Sequence, residues 1–357
     1  MSDSSATARE SSRVRGLDAW RFWCALWVVF GHFGFLPLTE GVDLGSFAGR
    51  VSRALYNNLV SGPAAVIVFF VISGFCIHYP YRRATSISPV APFYARRYLR
   101  ILIPVAAAVL ISNPLGYNMD LLGASIIWSL ICEEIYYFLY PLVLLRLRNR
   151  FGWRRMIAAS YVISIPLALT NLSGDYPAFG AQLTWLLGLP CWLLGCDLAE
   201  SYDGLAAAPR SRVPILWWRI GALGLSMVAS ILRFHSPLKY PLTLNPFAFY
   251  VYFWLREELV AAKDRPVGWA ERAGVFSYSL YLMHPAAEKI WERLHVPKLG
   301  SGVTWILMSL FIVAFAYVFY LVVERPSHRF ARRVFFWMQQ RRAAAAPAAV
   351  VAGEERG

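Results

Sequence analysis

The sequence predicts an all-α fold: a polytopic membrane bundle of about ten transmembrane helices, with both termini cytoplasmic. Three observations carry this. Of the 357 residues, 58% are hydrophobic and only 16% charged, whereas a soluble domain is about a quarter charged. Ten apolar segments can be drawn, each near the length of about 20 residues that a bilayer requires. When these are threaded alternately from a cytoplasmic N-terminus, basic side chains gather on one side, in the loops around Arg82 and Arg83, Arg146 to Arg155, Arg210 and Arg212, Lys263 to Arg272, and Arg325 to Arg333. The opposite loops hold fewer, among them Arg50, Arg53, Arg233, Lys239 and Lys298. The net charge of +14 therefore marks inward-facing loops of a multi-pass inner-membrane protein, with the lipid bilayer as partner and no nucleic acid.

Taken in order, residues 1–12 are polar and Ser-rich. No small-residue cleavage site follows, which predicts a disordered tail ahead of a retained first span. A transmembrane domain is expected over 13–335, and a disordered Ala-rich tail over 336–357. The ten segments centre near Trp27, Phe69, Val105, Ile131, Val162, Leu189, Leu225, Tyr250, Tyr281 and Ile312. The basic start of the third reads as a surface helix, and Pro241 and Pro246 read as breaks in the eighth. The five cysteines all lie in apolar stretches and match no metal spacing. They read as buried packing residues, with no disulfide and no metal site expected.

The first span carries Asp18, Arg21 and His32. Insertion scales charge roughly 2.5 to 3.5 kcal/mol for Asp or Arg at a helix centre. Arg21 and His32 are eleven residues apart, about three turns plus 20°, so they share one stripe that must face the bundle interior or a wet cavity. Two readings stand for His32: a hydrogen bond that holds helix packing, or a titratable catalytic group, since imidazole suits proton transfer near neutrality.

In the second span Ser73-Gly74 interrupts an apolar run. The glycine marks a close helix approach, and Ser73 is a candidate cavity-lining residue. Beyond it, Arg96, Arg97 and Arg100 are spaced to converge on one helix face. They read either as anchoring charge or as forks matched to phosphate oxygens. The fourth span carries Glu133 and Glu134, which point about 100° apart, so both need not face a cavity. An intramembrane carboxyl is costly and reads as functional. By axial rise, Glu133 and His32 stand at similar depth and are expected to meet. His284 in the ninth span, followed by the helix-loosening Pro285, reads equally as packing or as chemistry. Glu324 is expected at the inner boundary, paired with a loop arginine.

These pieces together resemble the acyltransferase-3 family, integral membrane O-acyltransferases that modify carbohydrates and related hydroxyl compounds. The resemblance rests on Gly16-Leu17-Asp18-x-x-Arg21 with His32 beyond it, Phe69-Phe70-Val71-Ile72-Ser73-Gly74-Phe75, and Phe93-Tyr94-x-Arg96-Arg97-x-x-Arg100. It continues in Trp128-Ser129-Leu130-x-x-Glu133, Tyr278-Ser279-Leu280-Tyr281-Leu282-x-His284 and Glu324-x-Pro326. The six motifs run in family order. Ile131-Cys132 replaces the Ser-Val often found before the acid, which leaves Glu133 itself in place.

The resemblance implies an essential His32 and Arg21, an important Glu133 with Glu134 as its more variable neighbour, and a functional Arg96, Arg97 and Arg100 cluster. It implies acyl-CoA as co-substrate rather than a cofactor, and a surface or exported carbohydrate hydroxyl as acceptor. On this reading His32, Glu133 and Arg21 are catalytic. Arg96, Arg97, Arg100, Ser73, Glu134 and His284 contact substrate. With no soluble esterase-like domain after the tenth span, transfer is expected to depend on the membrane domain alone. The alternative is a proton-coupled transporter or flippase of a lipid-linked or anionic substrate, with His32 and Glu133 as relay and the arginines holding an anionic head group.

Overall fold

Every one of the ten predicted segment centres falls inside a helix. The computed structural model of the chain describes residues 14–34, 36–37, 43, 45–119, 126–205, 211–263, 267–296 and 300–354. The expected tail over 1–12 and the loop residues Arg210, Arg265 and Lys298 lie outside them. The described residues are all helical or irregular, with no strand among them.

The helices are α1 (Leu17–Phe33), α2 (Phe47–Asn58), α3 (Gly62–His78), α4 (Val90–Ser112) and α5 (Trp128–Leu139), the last running through a π turn at Tyr140–Leu144 into α6 (Leu145–Phe151). They continue as α7 (Trp153–Leu169), α8 (Gly180–Leu205), α9 (Ile215–His235), α10 (Tyr240–Ala262) and α11 (Trp269–Ala273). The chain ends in α12 (Ser277–Arg293), α13 (Ser301–Phe319) and α14 (Arg325–Glu354), the last two joined by a π turn at Tyr320–Glu324.

Among the described residues, five stretches are long and apolar enough to cross a membrane: Phe47–Tyr81, Val90–Leu115, Tyr176–Leu205, Ile215–His235 and Ser301–Arg341. The helices with the intramembrane histidines and carboxyls are shorter: α1 and α12 have 17 residues each and α5 has 12. Large apolar side chains such as Leu110, Val162, Leu310 and Val322 face outward, which is the surface that acyl chains would cover.

Several local expectations change. The basic and apolar parts of α4 form one continuous helix, which runs through Pro104 although that residue has no N–H to offer the Arg100 carbonyl. α10 passes Pro246 unbroken. Pro241 sits in its first turn, where a missing N–H costs nothing, and the Asn245 amide donates to the carbonyls of Pro241 (2.7 Å) and Leu187 (3.3 Å), bracing the proline turn from within the core. The backbone of α14 is helical to Glu354, in keeping with the high helix propensity of its alanine run. The loop after α1 contains α2, capped by Ser46, which accepts from Gly49 N at 3.0 Å. Its Phe47, Val51 and Leu55 form an exposed apolar stripe at helical spacing.

Two contacts place the functional helices. The N-terminus of α1 has no local cap. The Glu271 carboxylate of α11 takes that role, accepting from Gly16 N at 3.1 Å and Ala19 N at 3.0 Å, so the orphan amides of the first turn are satisfied from another helix. α3, buried along most of its length, packs against both α1 and α8. It crosses α8 backbone to backbone: a Cβ built on Gly74 would lie 2.0 Å from the Trp192 carbonyl oxygen, and one on Gly195 2.0 Å from that of Val71. That crossing sets Ser73 against Trp192.

Candidate active site

Five helices contribute to one chamber of about 140 Å³. α1 supplies Arg21, α3 Ser73 and Cys76, α4 Arg97 and Arg100, α5 Glu133 and Tyr137, and α12 Tyr278 and Tyr281. Its remaining wall is mostly apolar, with Val66, Phe69, Phe70, Ile72 and Leu130, and includes Ser129 and Ser277. A polar end and an apolar end therefore share one cavity, as in sites for ligands with a charged head and an uncharged arm.

The arginines divide. Arg97 and Arg100, three residues apart on α4, both line the chamber, where Arg21 joins them from α1. Arg96 is about 100° round the helix from Arg97; it is exposed, stands 5.5 Å from the ring centre of Phe335 and lines no part of the chamber. The expected cluster of three on one helix is thus two from α4 and one from α1. Arg21 pairs with Asp18 at 3.4 Å. Arg100 donates from Nε to His328 Nε2 at 2.9 Å, and Arg97 lies 5.7 Å from the Tyr137 ring centre.

Glu133 faces the chamber and Glu134 does not. The Tyr137 hydroxyl donates to Glu133 Oε2 at 3.2 Å and lies 2.8 Å from Ser73 Oγ, to which Trp192 Nε1 donates at 3.2 Å. Indole N–H only donates and an ionised carboxylate only accepts, so with Glu133 ionised the chain has one direction: Trp192 to Ser73 to Tyr137 to Glu133. Tyr137, four residues beyond Glu133, was detectable from spacing; Trp192 was not. Glu134 Oε2 is buried without a hydrogen-bond partner among the described residues.

His32 and Glu133 do not meet. His32 Nδ1 lies 2.6 Å from His284 Nε2, and His284 Nδ1 lies 2.7 Å from the Tyr281 carbonyl oxygen. The reason is topological: α1 packs against α3 and α12, whereas α5 packs against α3 and α8, so equal depth does not make the two side chains neighbours. His284 is buried and His32 exposed at the end of α1. Neither lines the chamber, but Tyr281, whose carbonyl holds His284, does.

Glu324 is also placed differently from expectation. It is buried and accepts from Ser279 N at 3.1 Å and Ser279 Oγ at 2.5 Å. His328 Nε2 lies 3.4 Å from its other oxygen. The π turn ending at Glu324 precedes Pro326, which lacks a helical donor. Glu324 thus lies beside the arginine end of the chamber through His328 and Arg100. His328, four residues beyond Glu324, was legible only as a same-face neighbour.

All five cysteines are free; four are buried, as the sequence suggests, but Cys76 is exposed and lines the chamber. The chamber carries groups that can bind anions and move protons; no group of three or more potential metal ligands occurs among the described residues.

Comparison with known proteins bears on what this site does. The family model described as an acyltransferase domain matches residues 14–322. Neither curated proteins nor solved structures give a match. The chain belongs to the acyltransferase-3 family.

Proposed function

We propose that this acyltransferase moves an acyl group, acetyl in the simplest case, from acyl-CoA to a hydroxyl of a surface or exported carbohydrate. The observation that carries the reading is the convergence of Arg21, Arg97 and Arg100 at one end of a chamber whose other end is apolar and reaches Tyr281. Guanidinium forks suit the donor's phosphates. The uncharged pantetheine arm suits the wall of Val66, Phe69 and Phe70. Ten spans, cytoplasmic termini and an inner-membrane location fit the distribution of arginines and place the guanidinium end on the side where CoA is found.

In the reaction His32 Nε2 takes the proton of the acceptor hydroxyl as its oxygen attacks the acyl carbon. The carbon–sulfur bond then breaks, and the departing CoA thiolate takes the proton from the imidazolium. Arg21, three turns along α1 from His32, steadies the donor at the guanidinium end. Glu133, Ser73 and Tyr137 form a fixed polar wall beside the arm. Arg96 and Glu134, expected among the substrate contacts, are outside this wall.

The test is detergent-solubilised protein with radiolabelled acetyl-CoA and membranes. A CoA-dependent ester product that His32→Ala abolishes, in protein that still inserts and elutes as a single species, supports the reading. Vectorial uptake by sealed proteoliposomes of the same protein, without an ester, supports the transporter alternative.

A further inference from the structure

We infer that His284 is a positioning residue for His32, holding its imidazole in the tautomer that keeps hydrogen on Nδ1 and leaves Nε2 bare as the base. The catalytic sense of this rests on the acyl-transfer reading; the tautomer itself does not.

The argument begins in the backbone of α12. Pro285 has no amide hydrogen, so the carbonyl of Tyr281, four residues before it, loses its helical donor. The His284 ring fills the vacancy, with Nδ1 2.7 Å from that oxygen. A carbonyl only accepts, so Nδ1 of His284 carries the hydrogen. In the uncharged ring Nε2 is then a bare lone pair. That lone pair lies 2.6 Å from His32 Nδ1, which must therefore donate. The single hydrogen of neutral His32 is thereby assigned to Nδ1, and Nε2 is free to take a proton.

Burial makes the arrangement one-sided. His284 is 1% exposed and enclosed on α12, whereas His32 is exposed and its Nε2 has no hydrogen-bond partner among the described residues. When His32 Nε2 gains a proton, Nδ1–H still donates to His284, so the imidazolium is held in place. In serine-protease triads a carboxylate performs this service for the base. Here Glu133, the carboxylate the sequence nominated, is bonded to Tyr137. The sequence signal is the run Tyr281-x-x-His284-Pro285: the proline opens a carbonyl, the preceding histidine is locked onto it, and the lock sets the far nitrogen as an acceptor.

Two measurements on the full-length protein test this. In the acetyl-CoA assay, His284→Leu is expected to lower kcat about 100-fold with the donor KM unchanged. His284→Gln, whose amide oxygen can accept from His32 Nδ1–H, should recover about tenfold of that loss. Activity of His284→Leu within about twofold of wild type overturns the inference, as does a Gln variant no better than Leu or a loss confined to KM. Separately, ¹⁵N-histidine spectra, with His32→Gln to assign the resonance, should show His32 protonated at Nδ1 in the wild type and a shifted tautomer balance in His284→Leu. An Nε2–H form in the wild type overturns the inference whether or not the protein acylates anything. An Nδ1–H form in a protein that makes no ester retires the proposed reaction and leaves the pairing intact.

Discussion

Gly74 of α3 and Gly195 of α8 meet so closely that a Cβ on either would lie 2.0 Å from a carbonyl oxygen of the other helix. This crossing seats Ser73 beside Trp192 and Tyr137, and so fixes one wall of the chamber. The obstructing atoms are backbone, which cannot swing aside as a side chain would. Gly74→Ala should destabilise the protein by about 3 kcal/mol, read as a lower midpoint of thermal unfolding in detergent. An unchanged midpoint would mean the helices are not in this contact.

The unequal placement of the arginines makes a sharp comparison. Arg97→Ala and Arg100→Ala should each raise the KM for acetyl-CoA about tenfold or more, since each removes charge-assisted hydrogen bonds worth about 1.5 to 3 kcal/mol. Arg96→Ala, which removes only an exposed side chain over Phe335, should stay within about twofold of wild type. Equal losses at all three positions would contradict the division seen here.

Cys76 offers a chemical readout of the same chamber. It is exposed, with Arg21, Arg97 and Arg100 among its fellow lining residues, while the other four cysteines are buried. A small maleimide should therefore label the folded protein mainly at Cys76, and saturating CoA should slow that labelling. Labelling indifferent to CoA would place the donor elsewhere.

Tyr137 is the joint between Ser73 and Glu133. Tyr137→Phe keeps the ring but strips Glu133 of a donor and Ser73 of the oxygen that accepts its own hydrogen, leaving Ser73 only Trp192. The expected cost is about 1 to 3 kcal/mol in stability, with reduced acylation beyond what the loss of folded protein explains. Full activity in this variant would leave the polar wall without a part in the reaction.

A control lies outside the chamber. Glu258 is 3% exposed and is held bidentately by Arg219, at 2.7 and 3.0 Å, with Trp254 donating at 3.0 Å. Arg219→Ala strands most of that carboxylate's charge and should cost about 3 kcal/mol. Activity per folded molecule should not change, which unfolding and kinetics measured on the same sample would check.

Sequence alone determined that the chain is an all-helical membrane protein, and it nominated the charged and titratable side chains whose placement could then be read from the structure. Hydrophobic segment length, the asymmetry of arginine between loops and the expense of charge in hydrocarbon are one-dimensional signals, readable without coordinates. It also carried local pairings at helical spacing, such as Glu133 with Tyr137. What tertiary structure alone decided is who meets whom. Axial rise put His32 and Glu133 at one depth, but helices at the same depth touch only if they are neighbours, and α3 packs against both α1 and α5. So Glu133 went to Tyr137, His32 to His284, Glu324 to Ser279, and Arg96 turned away from the cavity that Arg97 and Arg100 share. Depth is a property of position along a chain, whereas adjacency depends on how helices pack around one another.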